Sequence, residues 1–474
     1  MDIEKIKLDR RMLLKAAGTG AVGLAVSGCS EELKSEPKAP AGIIGKDGKR
    51  VLPWSNWSGN QSCQPNLRLV PKSEEQVMEL VKNSSQTIRC VGAGHSFSPL
   101  VPTDETLMSL ARIRGIESID KENKQALIGA GSRLATIGEP LWNEGLALTN
   151  MPDINTQALA GAVATSTHGT GKHLGTMSTA VAEVHLVTAD GQKLVSNATQ
   201  NAEYFNALRT NLGALGVVTK LKMELRENYK LRENVWPVKL DEAIESLEDL
   251  RDNNRHFEVY ALPHADYMIA ITHNETDEPE TPPEATANGD AYEAFRLLSK
   301  VLNYLPFMKG TIINMGVRTI EPEERVGRSY EIFGNVRDIR FNEMEYSIPA
   351  EYGPKCIREI LDTIKKKNID IIFPIEYRYV QADNVWLSPF YQRDCCSISC
   401  HNFHDKDYKA YFAEIEPILL KYDGRPHWGK LHTLTAKEFT ARYPMFNEFL
   451  KVRQELDPQG KFLNKHLKTA FGIS

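Results

Sequence analysis

The sequence predicts an α+β protein built from two domains, and three observations carry that expectation. The chain has 474 residues, beyond the ~250–300 at which a single hydrophobic core stops growing. From Asn56 to about Glu227 short strands, glycine turns and short helices follow one another, without the regular repeat of a doubly wound sheet. From about Lys230 onward, longer helical patterns alternate with strands. The charge is nearly balanced, 57 Lys+Arg against 62 Asp+Glu, for a net of -5. That balance lacks the basic surplus of a nucleic-acid binder. No stretch reaches the ~18 apolar residues of a membrane span, and the scattered glycines and prolines exclude a collagen-like or low-complexity chain.

Residues 1–28 read as an address. A basic head with Arg10-Arg11 precedes a short run rich in Ala and Gly that ends Val26-Ser27-Gly28-Cys29. The arginine pair resembles a twin-arginine export signal, and the last four residues resemble a lipoprotein cleavage box. The resemblance implies a periplasmic protein held to the membrane by lipid on Cys29 alone. Twin-arginine export carries folded proteins, which hints at a cofactor. Residues 29–54 are polar and read as a flexible tether. Six cysteines remain. The knot Cys395-Cys396, Cys400-His401 and His404 lacks paired C-x2-C elements, and its alternation suits a strand, so no metal site is expected.

The domain at 55–228 opens with a helix over 73–82, where Ser73 and Gln76 are spaced as a capping box. Strands are expected at 87–91 and 126–131, a helix at 134–143, a hairpin across 181–195 turning at Asp190-Gly191, and a strand at 215–225. In the domain at 229–474, helices are expected at 241–251 and 352–367. The acidic, proline-rich stretch 274–290 reads as a solvated loop.

Two runs carry chemistry. Gly92-Ala93-Gly94-His95-Ser96 follows a strand, and glycines let backbone N–H groups approach an anion. It is no dinucleotide fingerprint, because Phe97 stands where the third glycine belongs, and Gly171-Lys172-His173 is no phosphate loop. Residues 160–171 are nearly all Gly, Ala, Ser and Thr, with too little apolar area for packing. They suit close backbone approach to an extended phosphorylated ligand, or simply a mobile loop of small residues.

Together with Asn56-Trp57-Ser58-Gly59-Asn60, Leu212-Gly-Ala-Leu-Gly-Val-Val218, Phe373-Pro-Ile-Glu376-Tyr-Arg378, Arg425-Pro-His427-Trp-Gly-Lys430 and Leu456-Asp-Pro-Gln-Gly-Lys-Phe462, these runs resemble the vanillyl-alcohol-oxidase superfamily. The branch resembled is that of the aldonolactone and alditol oxidases, and the likeness spans residues 56–471. It implies a PCMH-type FAD-binding domain followed by a substrate (cap) domain with an antiparallel sheet. It also implies FAD bound covalently through His95, with Gly92, Ala93, Gly94, Ser96 and Phe97 around it. Further cofactor contacts implied are Asp153, Gly161, Ala162 and Thr165, then Thr167, His168, Gly169 and Val218, with His427 near the flavin.

Glu376 and Arg378 are two apart, so on a strand they share a face. Elsewhere E-x-R is usually a surface pair; here the resemblance makes both catalytic, with Lys430 as the second cation. A fixed guanidinium suits a developing alkoxide. Asp153, Glu376, Arg378, His401 and Lys430 are the implied substrate contacts. Asp153 stands where alditol oxidases carry a serine, and the Cys400-His401 segment where they carry a threonine, so polyol specificity does not transfer. Pro152 occupies the position that gates oxygen, which favours O2 over a respiratory acceptor. The expectation is an FAD-dependent oxidase of a sugar lactone that releases hydrogen peroxide. An alditol or hydroxy-acid oxidase, a dehydrogenase serving a cytochrome or quinone pool, and a non-catalytic sugar-binding lipoprotein are the alternatives.

Overall fold

The computed structural model describes residues 43–44, 50–282, 298, 302, 306–334 and 339–473. The expected export signal, Cys29 and residues 283–290 of the acidic stretch lie outside these. In the first domain, β1 (Leu67–Leu69) leads into α1 (Glu74–Asn83), β2 (Ile88–Val91) and β3 (Thr106–Ser109). The three strands form a parallel sheet in the order β1-β3-β2. Helix α1 buries Val77 and Val81, one turn apart, and Ser73 caps it by accepting from the Gln76 N–H. The Gln76 side chain, however, accepts from the Lys72 N–H at 2.8 Å rather than from Ser73, so the capping box is displaced by one residue.

β4 (Ile116–Asp120) and β5 (Gln125–Gly129) follow. The single helix expected over 134–143 is two pieces, a 3₁₀ turn at Leu134–Thr136 and α2 (Gly138–Asn143). Pro140 explains the break: it has no N–H to donate back to Thr136 and is tolerated only in a helix's first turn. After α3 (Leu159–Ala164) come β6 (Val181–Val187), β7 (Lys193–Asn197), α4 (Ala202–Leu208) and β8 (Val217–Glu224). An antiparallel sheet in the order β7-β6-β8-β5-β4 results.

The second domain contains β9 (Lys230–Lys239), α5 (Leu240–Asn253), β10 (His256–Ala261), β11 (Tyr267–Thr276) and β12 (Glu323–Arg328). Then come β13 (Phe341–Pro349), α6 (Gly353–Lys367), β14 (Ile375–Val380), β15 (Cys395–Phe403), α7 (Lys409–Lys421) and β16 (Arg425–Pro426). All eight strands pair antiparallel in the order β12-β9-β11-β10-β14-β15-β13-β16. Strand β11 continues to Thr276, so residues 274–276 pair with 230–232 rather than looping out as expected. Helices α6 and α7 cover one face of the sheet. The apolar stripe of α6, Cys356, Ile357, Ile360, Leu361 and Ile364, is buried there.

The other face meets the first domain, where Gly171 N–H donates to the Tyr379 carbonyl at 2.7 Å. The chain's tail then returns to the first domain. Ile88 N–H donates to the Lys461 carbonyl at 2.9 Å, and Asn464 donates to the Leu100 and Pro102 carbonyls. Arg89 is buried and spends its guanidinium on the carbonyls of Leu100, Leu212, Gly213 and Phe462. Among the described residues no helix is long and apolar enough to cross a membrane.

Candidate active site

A cleft runs between the domains, lined by residues of both. Strand β2 feeds its floor. Beyond Val91 the chain turns through Gly94 at φ +71°, a conformation that suits glycine, and Gly92 to Phe97 line the cleft. Phe97 is also core, stacked on Phe341 at 5.7 Å. Across from this loop, α3 presents Gly161, whose missing Cβ would project into open space, with Ala162, Thr165 and Thr167 beside it. Pro152, Asp153, His168, Val218 and His427 complete that wall. Gly169 stands apart from the cleft: a Cβ there would collide with the Met151 carbonyl, so backbone packing accounts for that glycine.

His95 holds its ring 5.1 Å from Trp57 and its Nε2 2.9 Å from Thr156 Oγ1. Its Nδ1 is buried and has no partner. Burial, helped by Lys430, pushes the imidazole down to about 4, so the ring is neutral.

The opposite wall is made by strand alternation. Tyr346 turns toward α7, where it bonds Glu416, and Cys400 toward Tyr411 of the same helix. Alternate residues of the same strands therefore face the first domain: Glu343 and Glu345 on β13, Glu376 and Arg378 on β14, His401 on β15. Register places Glu343 opposite His401 and Glu376 opposite both Ser399 and Tyr260. Cys396 and Cys400 lie on the other face from His401.

Glu376 accepts from Tyr260 Oη at 2.8 Å and pairs with Arg378 Nη2 at 3.2 Å. The same nitrogen lies 3.3 Å from Glu345 Oε2. Burial would lower the Arg378 pKa, yet Glu376 and Glu345 outweigh it and raise it further. Its Nε remains buried without a partner. Lys430 bonds Glu343 Oε2 and lies 3.9 Å from Glu345 Oε2. Burial raises the Glu343 carboxyl, but Lys430 and then His401 overcome it and hold it at about 2. His168 and Arg378 likewise overcome burial and keep Glu345 well below the carboxylate range. His427, whose Nδ1 accepts the Gly429 N–H at 3.0 Å, is pushed by burial to about 3. Ligating atoms of Glu343, Glu376 and His401 come within 4.8 Å of one another. Lys430 and Arg378 already serve the two carboxylates as counter-ions, so this cluster is an ion-pair network.

Glu343, Glu345 and Tyr260 were not among the residues singled out from sequence. The only signal for the two glutamates is the polar–apolar alternation of Asn342-Glu-Met-Glu-Tyr346.

A family model described as D-arabinono-1,4-lactone oxidase matches residues 221–470, more than half of the chain. The chain belongs to the D-arabinono-1,4-lactone oxidase family. A model described as FAD binding domain matches residues 65–196, and the protein is an FAD-dependent oxidoreductase of this family. It is 31% identical to L-gulono-1,4-lactone dehydrogenase of Mycobacterium tuberculosis over 88% of this chain and 99% of the relative. It is 30% identical to L-gulonolactone oxidase of Bos taurus over 90% of this chain and 99% of the relative. Cholesterol oxidase from Brevibacterium sterolicum has the same fold, with TM-score 0.75 at 15% identity over 89% of this chain and 97% of that one. The cleft of this family member fits FAD on its own evidence. Nδ1 of His95 and Nε of Arg378 are buried without a partner in the protein, both residues line the cleft, and a Cβ at Gly161 would meet nothing within 4 Å.

Proposed function

We propose that this chain oxidises a hydroxyl of a sugar lactone, an aldono-1,4-lactone, and passes the electrons to O2 to give hydrogen peroxide. The reading rests above all on one observation: Glu376 and Arg378 line the same cleft as the glycine loop at 92–96. The names of the family and of the two relatives support the lactone. FAD, held by residues 92–97 and 161–167, supplies the hydride acceptor. Arg378 stands ready to stabilise negative charge growing on the substrate oxygen, Glu376 to hold neighbouring hydroxyls, and Tyr260 to orient Glu376. Lys430 adds the second positive charge.

His95 is the covalent attachment point in this reading, since its Nδ1 is the nitrogen left without a partner. Residues 55–228 serve FAD and 229–474 the substrate, with the tail from Ala436 closing the first unit. Pro152 beside the cleft supports access for oxygen; the dehydrogenase name of the mycobacterial relative supports a second reading with another acceptor. The resemblance of Arg10-Arg11 to a twin-arginine signal, and of Val26-Ser27-Gly28-Cys29 to a lipoprotein cleavage box, supports a mature protein that is exported folded and lipid-anchored in the periplasm.

Purified protein incubated with sugar lactones, polyols and aldoses, with peroxide and flavin bleaching recorded together, tests the substrate class. Bleaching by polyols alone would overturn the lactone. Stopped-flow reoxidation decides the acceptor: slow reaction with air and fast reaction with an artificial acceptor would favour the dehydrogenase.

A further inference from the structure

We propose that Thr156 positions His95 for its bond to the flavin, its hydroxyl taking the hydrogen on Nε2 so that the lone pair of the ring sits on Nδ1; the inference rests on the covalent attachment read above. Attachment asks for one particular form of the side chain. An imidazole bonds carbon only when it is neutral, and only through the nitrogen that carries no hydrogen.

The surroundings of His95 meet the first condition. Burial disfavours its imidazolium, and the charges of Lys430 and Arg133 disfavour it further, with Glu343 pulling the other way less strongly. The neutral ring has one N–H and one lone pair to place. Nε2 lies 2.9 Å from Thr156 Oγ1, while Nδ1 is buried with no partner in the protein. A hydroxyl can accept or donate, so the choice is made at Nδ1. A hydrogen there would be a buried N–H with nothing to bond, among the rarest defects of a folded protein. A hydrogen on Nε2 has Thr156 Oγ1 as its acceptor. Thr156 is itself exposed, so its own O–H has solvent to bond and need not point at the ring.

Both partners are held in place. The segment that carries Thr156 is tied to the 3₁₀ turn after β5: Ala135 N–H donates to the Asn155 carbonyl at 2.8 Å and Leu134 N–H to the Gln157 carbonyl at 3.0 Å. Arg133 Nη1 donates to the Thr156 carbonyl at 2.8 Å. Beside His95, Trp57 N–H donates to the Gly94 carbonyl at 2.8 Å, and the Trp57 ring packs 5.1 Å from the imidazole at 34°.

Nδ1 spends its lone pair on a bond to the methyl carbon at the benzene edge of the flavin, and one C–H bond of that methyl breaks. The C–H electron pair stays on the flavin as two reducing equivalents, which O2, the acceptor of the proposed turnover, takes up. Positive charge grows on the imidazole as the bond forms, and the Nε2 hydrogen leaves as a proton past Thr156 to solvent. The methyl proton and the Nε2 proton balance the hydrogen peroxide that O2 becomes. Thr156 thus acts on attachment twice, first on where the hydrogen sits and then on how it departs.

The test follows FAD attachment, with no substrate present, in wild type, Thr156→Val and Thr156→Ser. Valine keeps the shape of threonine without the hydroxyl, and serine keeps the hydroxyl without the methyl. Each full-length protein is produced under riboflavin limitation, given FAD and air, and sampled over time into acid. The colour and intact mass of the pellet give the attached fraction. Wild type and Thr156→Ser should attach FAD at similar rates, and Thr156→Val about tenfold more slowly, the worth of one oriented hydrogen bond. Quenching of flavin fluorescence should show Thr156→Val binding FAD as tightly as wild type before attachment. A second readout sees the hydrogen itself. In 15N-histidine spectra of the protein before attachment, with the His95 signals identified by their loss in His95→Ala, wild type should carry hydrogen on Nε2 and Thr156→Val a mixture of the two forms. Attachment by Thr156→Val at the wild-type rate overturns the proposal, as does Thr156→Ser as slow as Thr156→Val. Lost FAD binding in Thr156→Val, or hydrogen on Nδ1 in the wild type, also overturns it. Wild-type protein that releases all its FAD into acid overturns the covalent reading and the role of Thr156 together, whereas attached wild type with an indifferent Thr156→Val overturns Thr156 alone.

Discussion

Glu345 Oε1 lies 2.6 Å from His168 Nε2, and both side chains are buried. One residue belongs to the central sheet of the second domain and the other to the small-residue run of the first, so this contact joins the two halves inside the cleft. Glu345 also serves Arg378 at 3.3 Å. Removing one partner of a buried ionic network leaves the others uncompensated. Glu345→Gln should therefore lower the unfolding free energy by about 3 kcal/mol, read as a drop in the urea midpoint of the FAD-loaded protein. An unchanged midpoint would show that the network contributes specificity without stability.

Arg378 offers more than a charge. One guanidinium nitrogen bridges Glu376 and Glu345, and the Nε beside it is left free of protein partners. A lysine has a single compact ammonium and cannot do both. We expect Arg378→Lys to keep its bound flavin while kcat/KM for the lactone falls about 10²–10³-fold, the loss typical of a removed transition-state donor. Retained flavin with retained kcat/KM would remove Arg378 from the chemistry.

The unpartnered Nδ1 of His95 leads to a test that needs no substrate. Wild-type protein precipitated in acid should stay yellow in the pellet. His95→Ala should release its FAD to the supernatant, or carry none. Free FAD from the wild type would mean that His95 only lines the flavin.

Much of this site is legible in the sequence, for identifiable reasons. Glycine-rich runs such as 160–171 bury too little apolar area to be explained by packing, so they announce close backbone approach. Glu376 and Arg378 are two apart, and any strand puts them on one face. Glu343 and Glu345 have the same spacing and escape notice, because polar–apolar alternation ordinarily marks a face turned to solvent. Only the sheet order, which sets β13 two strands from β14 and lays the first domain over both, turns that face into a buried wall. Tyr260 is 116 residues from Glu376, and only strand register brings them together. Where the structure departs from the sequence pattern the cause is local: Pro140 splits one expected helix, and pairing with β9 extends β11 into the acidic stretch.

The buried histidines set the response to acid. Burial pushes His427 and His432 from an ordinary 6.5 to about 3, and His95 to about 4. Between those values and 6.5 the unfolded chain binds protons that the folded chain refuses, so stability rises with pH and is lost on acidification through that window. Glu343, held at about 2 against an ordinary 4.5, adds a loss of the same sign lower down. Asp383, pushed up to about 6 by burial, works in the opposite sense, but it is one group against several. Unfolding free energy should therefore be highest near neutrality and fall steadily from pH 6.5 toward 4. His432 isolates the effect, because both its nitrogens are buried without partners and its ring meets Phe439 edge-on at 5.2 Å. His432→Leu removes an unsatisfied polar group and should stabilise the protein by about 1–3 kcal/mol at neutral pH. It should do more at pH 5, where the wild type gives up further stability to the proton. Urea unfolding at the two pH values measures both quantities, and a variant whose advantage shrinks on acidification would contradict the assignment of a neutral, buried His432.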